Sequence, residues 1–172
     1  MKIEIYTAVS VDGFISGIDG DESWILDENG SNSFDNYAKT FDAIILGRNT
    51  FNRNLGTVYP VKDTKNIVMT SSFIDPDKYE ENFEFTNKNP KELIQELKNR
   101  NYKNIMIVGG AKIYEAFLKE KLVDEILIAL HPNILGGGIS LTSNLTSKIN
   151  LEEINCEDSE EGFKLIRYKI KY

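Results

Sequence analysis

The sequence predicts an α/β domain whose mostly parallel sheet carries antiparallel strands at one edge. Three observations predict it. Short apolar runs, Asp42–Leu46 (DAIIL), Asn66–Met69 (NIVM) and Ile105–Val108 (IMIV), have the look of strands buried on both faces. Segments of helical period stand between them, the order that joins parallel strands by crossover helices. Towards the end of the chain the helices stop and only strands follow.

Taken in order, Lys2–Val11 is rich in β-branched and aromatic residues and reads as the first strand. Asp12-Gly13 breaks it, and Phe14-Ile15 resume the apolar character. Ser16–Asn32 is dense in Gly, Asp, Ser and Asn and reads as a long loop, the kind that often carries function. Trp24-Ile25-Leu26 within it predict that it packs on something. Ser33–Phe41 is a short helix with Phe34, Tyr37, Ala38 and Phe41 on one face and Ser33 as N-cap. Asp42–Leu46 and Asn66–Met69 are the next strands. Asp75–Asn82 is a polar connection and Phe83–Thr86 a short strand. Pro90–Asn99 is a helix opened by its proline, with Leu93, Ile94 and Leu97 inward. After Ile105–Val108 and its helix, Asp124–Leu130 is a strand, followed by His131-Pro132 and a loop containing Gly136-Gly137-Gly138. Leu151–Cys156 and Phe163–Ile170 close the domain as a hairpin. The alternation in FKLIRYKI is that of a half-exposed edge strand. The acidic run Glu157–Glu161 reads as a solvated turn, and His131 as structural.

The stretch Asn104–Leu118 (NIMIVGGAKIYEAFL) organises the rest. A buried strand runs into Gly109-Gly110 and then into a helix with Ile113, Phe117 and Leu118 on one face. Glycine lets a ligand approach the main chain, and the first helical amides point outward with the positive end of the dipole. A phosphate fits such a corner; a tight turn that binds nothing is the plain alternative. Gly47-Arg48-Asn49-Thr50, after DAIIL, repeats the same strand, glycine, cation and helix order. Two such corners suit a dinucleotide, whose phosphates need placing at both.

With 172 residues, the chain suits one domain spanning 1–172. Its net charge of -7 argues against a nucleic-acid surface, which needs clustered cations. No apolar run approaches the ~20 residues of a membrane span, and the N-terminus reads as a strand, not a signal peptide. Cys156 is the single cysteine, so no internal disulfide can form and the cytoplasm is the expected compartment. One His and one Cys cannot build a zinc site of the usual ligands, so no metal is expected.

Five stretches occur together in order: Ser10–Ile15 (SVDGFI), Gly20–Ile25 (GDESWI), Asp42–Phe51 (DAIILGRNTF), Asn104–Leu118 and Asp124–Leu141 (DEILIALHPNILGGGISL). On these the chain resembles the dihydrofolate reductase-like superfamily, and within it the reductase domain of riboflavin biosynthesis. The resemblance implies a three-layer fold around an eight-stranded sheet, NADPH as cofactor, a small-molecule substrate and a homodimer. By that resemblance Arg48 faces the 2′-phosphate, a task suited to a planar guanidinium, with Gly47 and Thr50 in the same corner. Thr70 and Ser71 match the adenosine corner. Gly109, Gly110, Ala111 and Lys112 match the pyrophosphate turn. Ala8 and Ile15 flank the nicotinamide, and Tyr114 lies beside it.

The departures matter too. Dihydrofolate reductases carry Trp-x-Leu-Pro followed by an acid; here Trp24-Ile25-Leu26-Asp27-Glu28-Asn29 lacks the proline and has Asn29 in the acid's place. Ala129 stands where a threonine supports that acid. The His-x-Glu and Pro-Cys-x-x-Cys signature of the fused deaminase is missing as well. The resemblance therefore implies hydride transfer to a small heterocyclic or ribosylamino-pyrimidine substrate, with dihydrofolate as the alternative. Asp12, at the end of the first strand, is a candidate proton donor or acceptor, and also half of a common Asp-Gly turn. Trp24 either walls the substrate pocket or pins its loop. Asp27 and Glu28 are candidate acids in the same loop, or solvated carboxylates. A nucleotide-binding module without turnover, and a flavodoxin-like fold for flavin mononucleotide, are the readings of other classes.

Overall fold

Along the central strands successive side chains point to opposite faces, and this divides the core in two. The computed structural model describes residues 1–25, 32–142 and 145–172. The strands are β1 (Lys2–Ser10), β2 (Phe14–Ser16), β3 (Ala43–Gly47), β4 (Lys65–Met69), β5 (Phe83–Thr86), β6 (Asn104–Gly109), β7 (Glu125–His131), β8 (Ile139–Ser140), β9 (Asn150–Asp158) and β10 (Lys164–Lys171). The helices are α1 (Asn32–Ala38), α2 (Arg48–Asn54), α3 (Pro90–Asn99) and α4 (Ala111–Lys119). Ile45, Ile67, Ile105 and Ile107 face α3 and α4, joining Leu93, Leu97 and Phe117. Ile44, Leu46, Val68 and Met106 face the other way, against Ala38, Phe41 and Phe51 from α1 and α2. The α3 helix begins at Pro90, with a capping box between Asn89 and Glu92.

Eight strands form one sheet in the order β5-β4-β3-β6-β1-β7-β10-β9. The first six run parallel, and β10 is antiparallel to both β7 and β9. This is the mostly parallel sheet with an antiparallel edge that the element order predicts. The flavodoxin-like reading is corrected here, because that fold orders its strands 2-1-3-4-5.

Two local expectations are also corrected. Phe163–Ile170 is not the edge: β10 lies between β7 and β9, and β9 is outermost. Alternation in sequence reports a half-exposed face but not which of two hairpin strands faces outward. Ser33 is not the cap of α1, since the helix already begins at Asn32. Arg167 of β10 reaches inward. Its guanidinium pairs with Glu4, which is fully buried, and with Glu125 at 3.2 Å. Tyr37 Oη donates to Glu4 Oε1 at 2.5 Å and accepts from Arg167 Nη2 at 2.9 Å. Lys2 completes the cluster, 2.7 Å from Glu125. Through Tyr37 this cluster ties α1 to the sheet.

Candidate functional site

At the C-terminal ends of β1, β3, β4, β6 and β7 the sheet opens onto a cavity of about 670 Å³. Parallel sheets place ligands in this position. The corners described from sequence converge there. Gly47, Arg48 and Thr50 line it from the start of α2; Gly110, Ala111 and Lys112 from the start of α4; Thr70 and Ser71 from the end of β4. Ala8, Ile15 and Tyr114 line it as well.

Neither α2 nor α4 has a side-chain cap on its first turn. Both therefore present main-chain donors to the opening. Gly110 stands at φ -81, and a Cβ placed there would meet only Thr50 Oγ1, at 3.4 Å. The glycine thus leaves a space beside Thr50 that any larger side chain would fill. Gly109 does not line the cavity. Its φ of +115 favours glycine, and an added Cβ would lie 3.0 Å from Tyr114 Oη. The peptide between the two glycines is cis.

Arg48 Nη1 is buried and has no hydrogen-bond partner among the described residues. Its guanidinium lies 5.9 Å from the Phe51 ring centroid. A buried cationic donor left unpaired is costly unless something else satisfies it. Burial pushes the Tyr114 hydroxyl above its ordinary range, so it stays protonated and donates to the Tyr6 carbonyl at 3.0 Å. Burial also pulls the His131 imidazole down, towards its neutral form.

Of the three residues put forward for catalysis, Asp12 and Trp24 lie away from the cavity lining. Asp12 is exposed and does not line the cavity. Its carboxylate accepts from Ser10 Oγ at 2.6 Å and from the amides of Leu135 and Gly136 at 3.2 and 2.8 Å. Ser10 first, and those amides, hold its pKa below the usual value. Trp24 is buried behind the wall: its indole N–H donates to the Asp21 carbonyl at 3.1 Å, and its ring meets His131 edge-on at 5.5 Å. Asp27, with Glu28 and Asn29, lies outside the described residues.

Several lining residues escaped the sequence reading. His131, read as structural, lines the cavity and stacks on Phe163 at 4.5 Å. Glu161, read as part of a solvated turn, is half-buried and lines it too. Glu22, Arg53, Phe34 and Tyr59 complete that wall. The position of His131 at a strand's C-terminal end was a usable signal. Glu161 had none, because only the β9–β10 pairing brings its turn to the opening.

Comparison with known proteins decides the family. Residues 1–59 and 57–165 match the model of the RibD C-terminal domain. The chain belongs to that family. It is 38% identical to the uncharacterized protein YwjB of Bacillus subtilis over 87% of either chain. A protein of Shewanella sp. PV-4 assigned to riboflavin biosynthesis superposes over the whole of both chains with a TM-score of 0.87, at 26% identity. The bifunctional pyrimidine deaminase and 5-amino-6-(5-phosphoribosylamino)uracil reductase of Thermotoga maritima has the same fold. There the TM-score is 0.73 at 18% identity, over 98% of this chain and 56% of that one. The dihydrofolate reductase of Schistosoma mansoni carries this fold as well, with a TM-score of 0.74 at 18% identity over 99% of either chain. Among the described residues no helix is long and apolar enough to cross a membrane.

Proposed function

We propose that this RibD C-terminal family protein is an NADPH-dependent reductase of a small heterocycle, with a ribosylamino-pyrimidine as the first candidate substrate. The observation that carries the proposal is the unpartnered, buried Arg48 Nη1 on the wall of the cavity. A nicotinamide dinucleotide, when bound, supplies a hydride to the carbon of a C=N or C=O group. The residues present fit it. Arg48 would hold the 2′-phosphate; Thr50, Gly110, Ala111 and Lys112 the pyrophosphate; Thr70 and Ser71 the adenosine. Ala8, Ile15 and Tyr114 would wall the nicotinamide end, and the buried rings around them exclude water. Asp12 acts as a positioning residue: its bonds to Leu135 and Gly136 fix the loop after β7 against the turn after β1.

Arg48→Ala should cost about 1.5–3 kcal/mol of NADPH affinity, the scale of hydrogen bonds to a charged group. NADH affinity should barely move. Calorimetric titration with both nucleotides checks this, and equal losses would remove Arg48 from the 2′-phosphate.

Assembly follows from the edge strand. Every residue of β9 is exposed, including Leu151 at 47% and Ile154 at 50%. An outermost strand with unpaired main-chain groups and apolar side chains suits a two-fold pairing of two copies. Light scattering at micromolar concentration should give about twice the chain mass of 19.6 kDa. A mass of one chain would contradict the homodimer.

A further inference from the structure

We propose that Tyr37 is a positioning residue for the substrate end of the cavity: its hydroxyl, held by Glu4 and Arg167, fixes α1 so that Ser33 and Phe34 stand in the wall. The inference rests on the reductase reading and adds a residue that does not itself line the cavity.

The α1 helix spans seven residues, too few to be stable by its own hydrogen bonds. Its place therefore comes from what it packs on. Ala38 joins the apolar cluster of Ile44, Leu46 and Met106. Such contact is non-directional and leaves a helix room to slide or turn. The Tyr37 hydroxyl supplies the directional part.

Glu4, Tyr6 and Ala8 share one face of β1, because side chains alternate along a strand. Glu4 is at the buried end, while Tyr6 and Ala8 line the cavity. Across those positions the strand rises about 13 Å. The face of α1 repeats this order. Tyr37 meets Glu4, and Phe34, one turn earlier, meets Tyr6 with ring centroids 5.3 Å apart. The Tyr6 ring also lies 6.0 Å from that of Tyr37. Phe34 in turn meets Tyr59 edge-on at 6.4 Å. A shift of α1 at Tyr37 is therefore a shift of Phe34 in the wall. At the mouth, Ser33 Oγ reaches Glu161 Oε2 at 3.4 Å, an exposed contact near the limit of hydrogen bonding.

A buried carboxylate such as Glu4 is costly without its partners. Burial first, and then the bond to Glu4, push the Tyr37 hydroxyl well above its ordinary range, so it stays protonated and keeps donating. It accepts from Arg167 as well, so one hydroxyl bridges both charges. Phenylalanine at this position would keep the ring packing and lose both bonds. The residues assigned to the cofactor come from β1, β2, α2, α4 and the end of β4, and none from α1. The effect of losing the hydroxyl is therefore one-sided: it falls on the substrate and spares the nucleotide.

The test compares Tyr37→Phe with the unaltered chain and with Ile94→Val, which thins the core on the opposite face of the sheet. Hydrogen exchange reads α1 and calorimetry reads NADPH affinity. Steady-state kinetics gives KM and kcat for 5-amino-6-(5-phosphoribosylamino)uracil, the pyrimidine named for the Thermotoga maritima reductase. In Tyr37→Phe the α1 amides should exchange at least about tenfold faster and the pyrimidine KM should rise at least about fivefold, within what losing a hydrogen bond to a charged group can cost. NADPH affinity and kcat should each stay within about twofold, the pattern of lost substrate binding. Ile94→Val should lower the melting temperature and move none of these. Unchanged exchange of α1, an unmoved pyrimidine KM, a matching loss of NADPH affinity, or the same KM rise in Ile94→Val overturns the proposal alone. So does a protein that binds NADPH but does not turn over the pyrimidine, since α1 then has no pyrimidine to position. Failure of NADPH itself to bind overturns the reductase reading and this proposal with it.

Discussion

Arg167→Met is expected to lower the unfolding free energy by about 2–4 kcal/mol, within or just below the range for breaking one side of a buried ion pair. Glu4 has no exposed surface, and the guanidinium of Arg167 is its main counter-charge. Lys2 remains 3.5 Å away and Tyr37 still donates, which offsets part of the loss. The stranded carboxylate then sits beside apolar neighbours of β1. A double variant, Glu4→Leu with Arg167→Met, should recover much of the stability, since removing both charges leaves none unpaired. Lys171→Met, which breaks an exposed pair with Glu152, should leave the transition nearly unchanged. Urea unfolding of the variants measures all of these. A loss for Arg167→Met no larger than that for Lys171→Met would show that the cluster does not hold α1.

Gly110→Val should reduce NADPH affinity by at least about 100-fold, roughly 2.7 kcal/mol. The Cβ has room at 3.4 Å from Thr50 Oγ1, and the backbone is not in the left-handed region. The branched side chain instead enters the space beside Thr50 at the start of α4. Gly110→Ala is the graded control, expected to lose less. Calorimetric titration beside a thermal melt separates lost binding from lost fold. A folded variant that keeps its NADPH affinity would remove the Gly109-Gly110 corner from the cofactor site.

Local signals made most of this molecule legible. Pro90–Asn99 is the helix its proline and apolar spacing describe, and Ile105 to Ile107 are fully buried, as an unbroken apolar run implies. The two glycine corners that line the cavity were legible because glycine and cation follow directly on a strand end. Contacts that depend on strand order were not. Nothing near Glu4 in sequence announces Arg167, which arrives 163 positions later across β7. The alternation of Phe163–Ile170 describes a face, and the face is shared by the strand next to the edge. Glu161 read as a solvated acid because its neighbours in sequence are acidic, whereas the fold turns it to the cavity. Asp12 illustrates the converse: an acid beside an Asp-Gly turn at a strand end suggested chemistry, and the fold uses it to hold a loop.

Under the proposed function the cavity takes a nicotinamide dinucleotide carrying a 2′-phosphate. Titration of the unmodified protein with NADPH and NADH under identical salt tests it most directly. The expected result is one site per chain and NADPH binding at least about tenfold tighter, the 1.4 kcal/mol or more that Arg48 supplies. Equal affinity for the two nucleotides, or binding of neither, would contradict it.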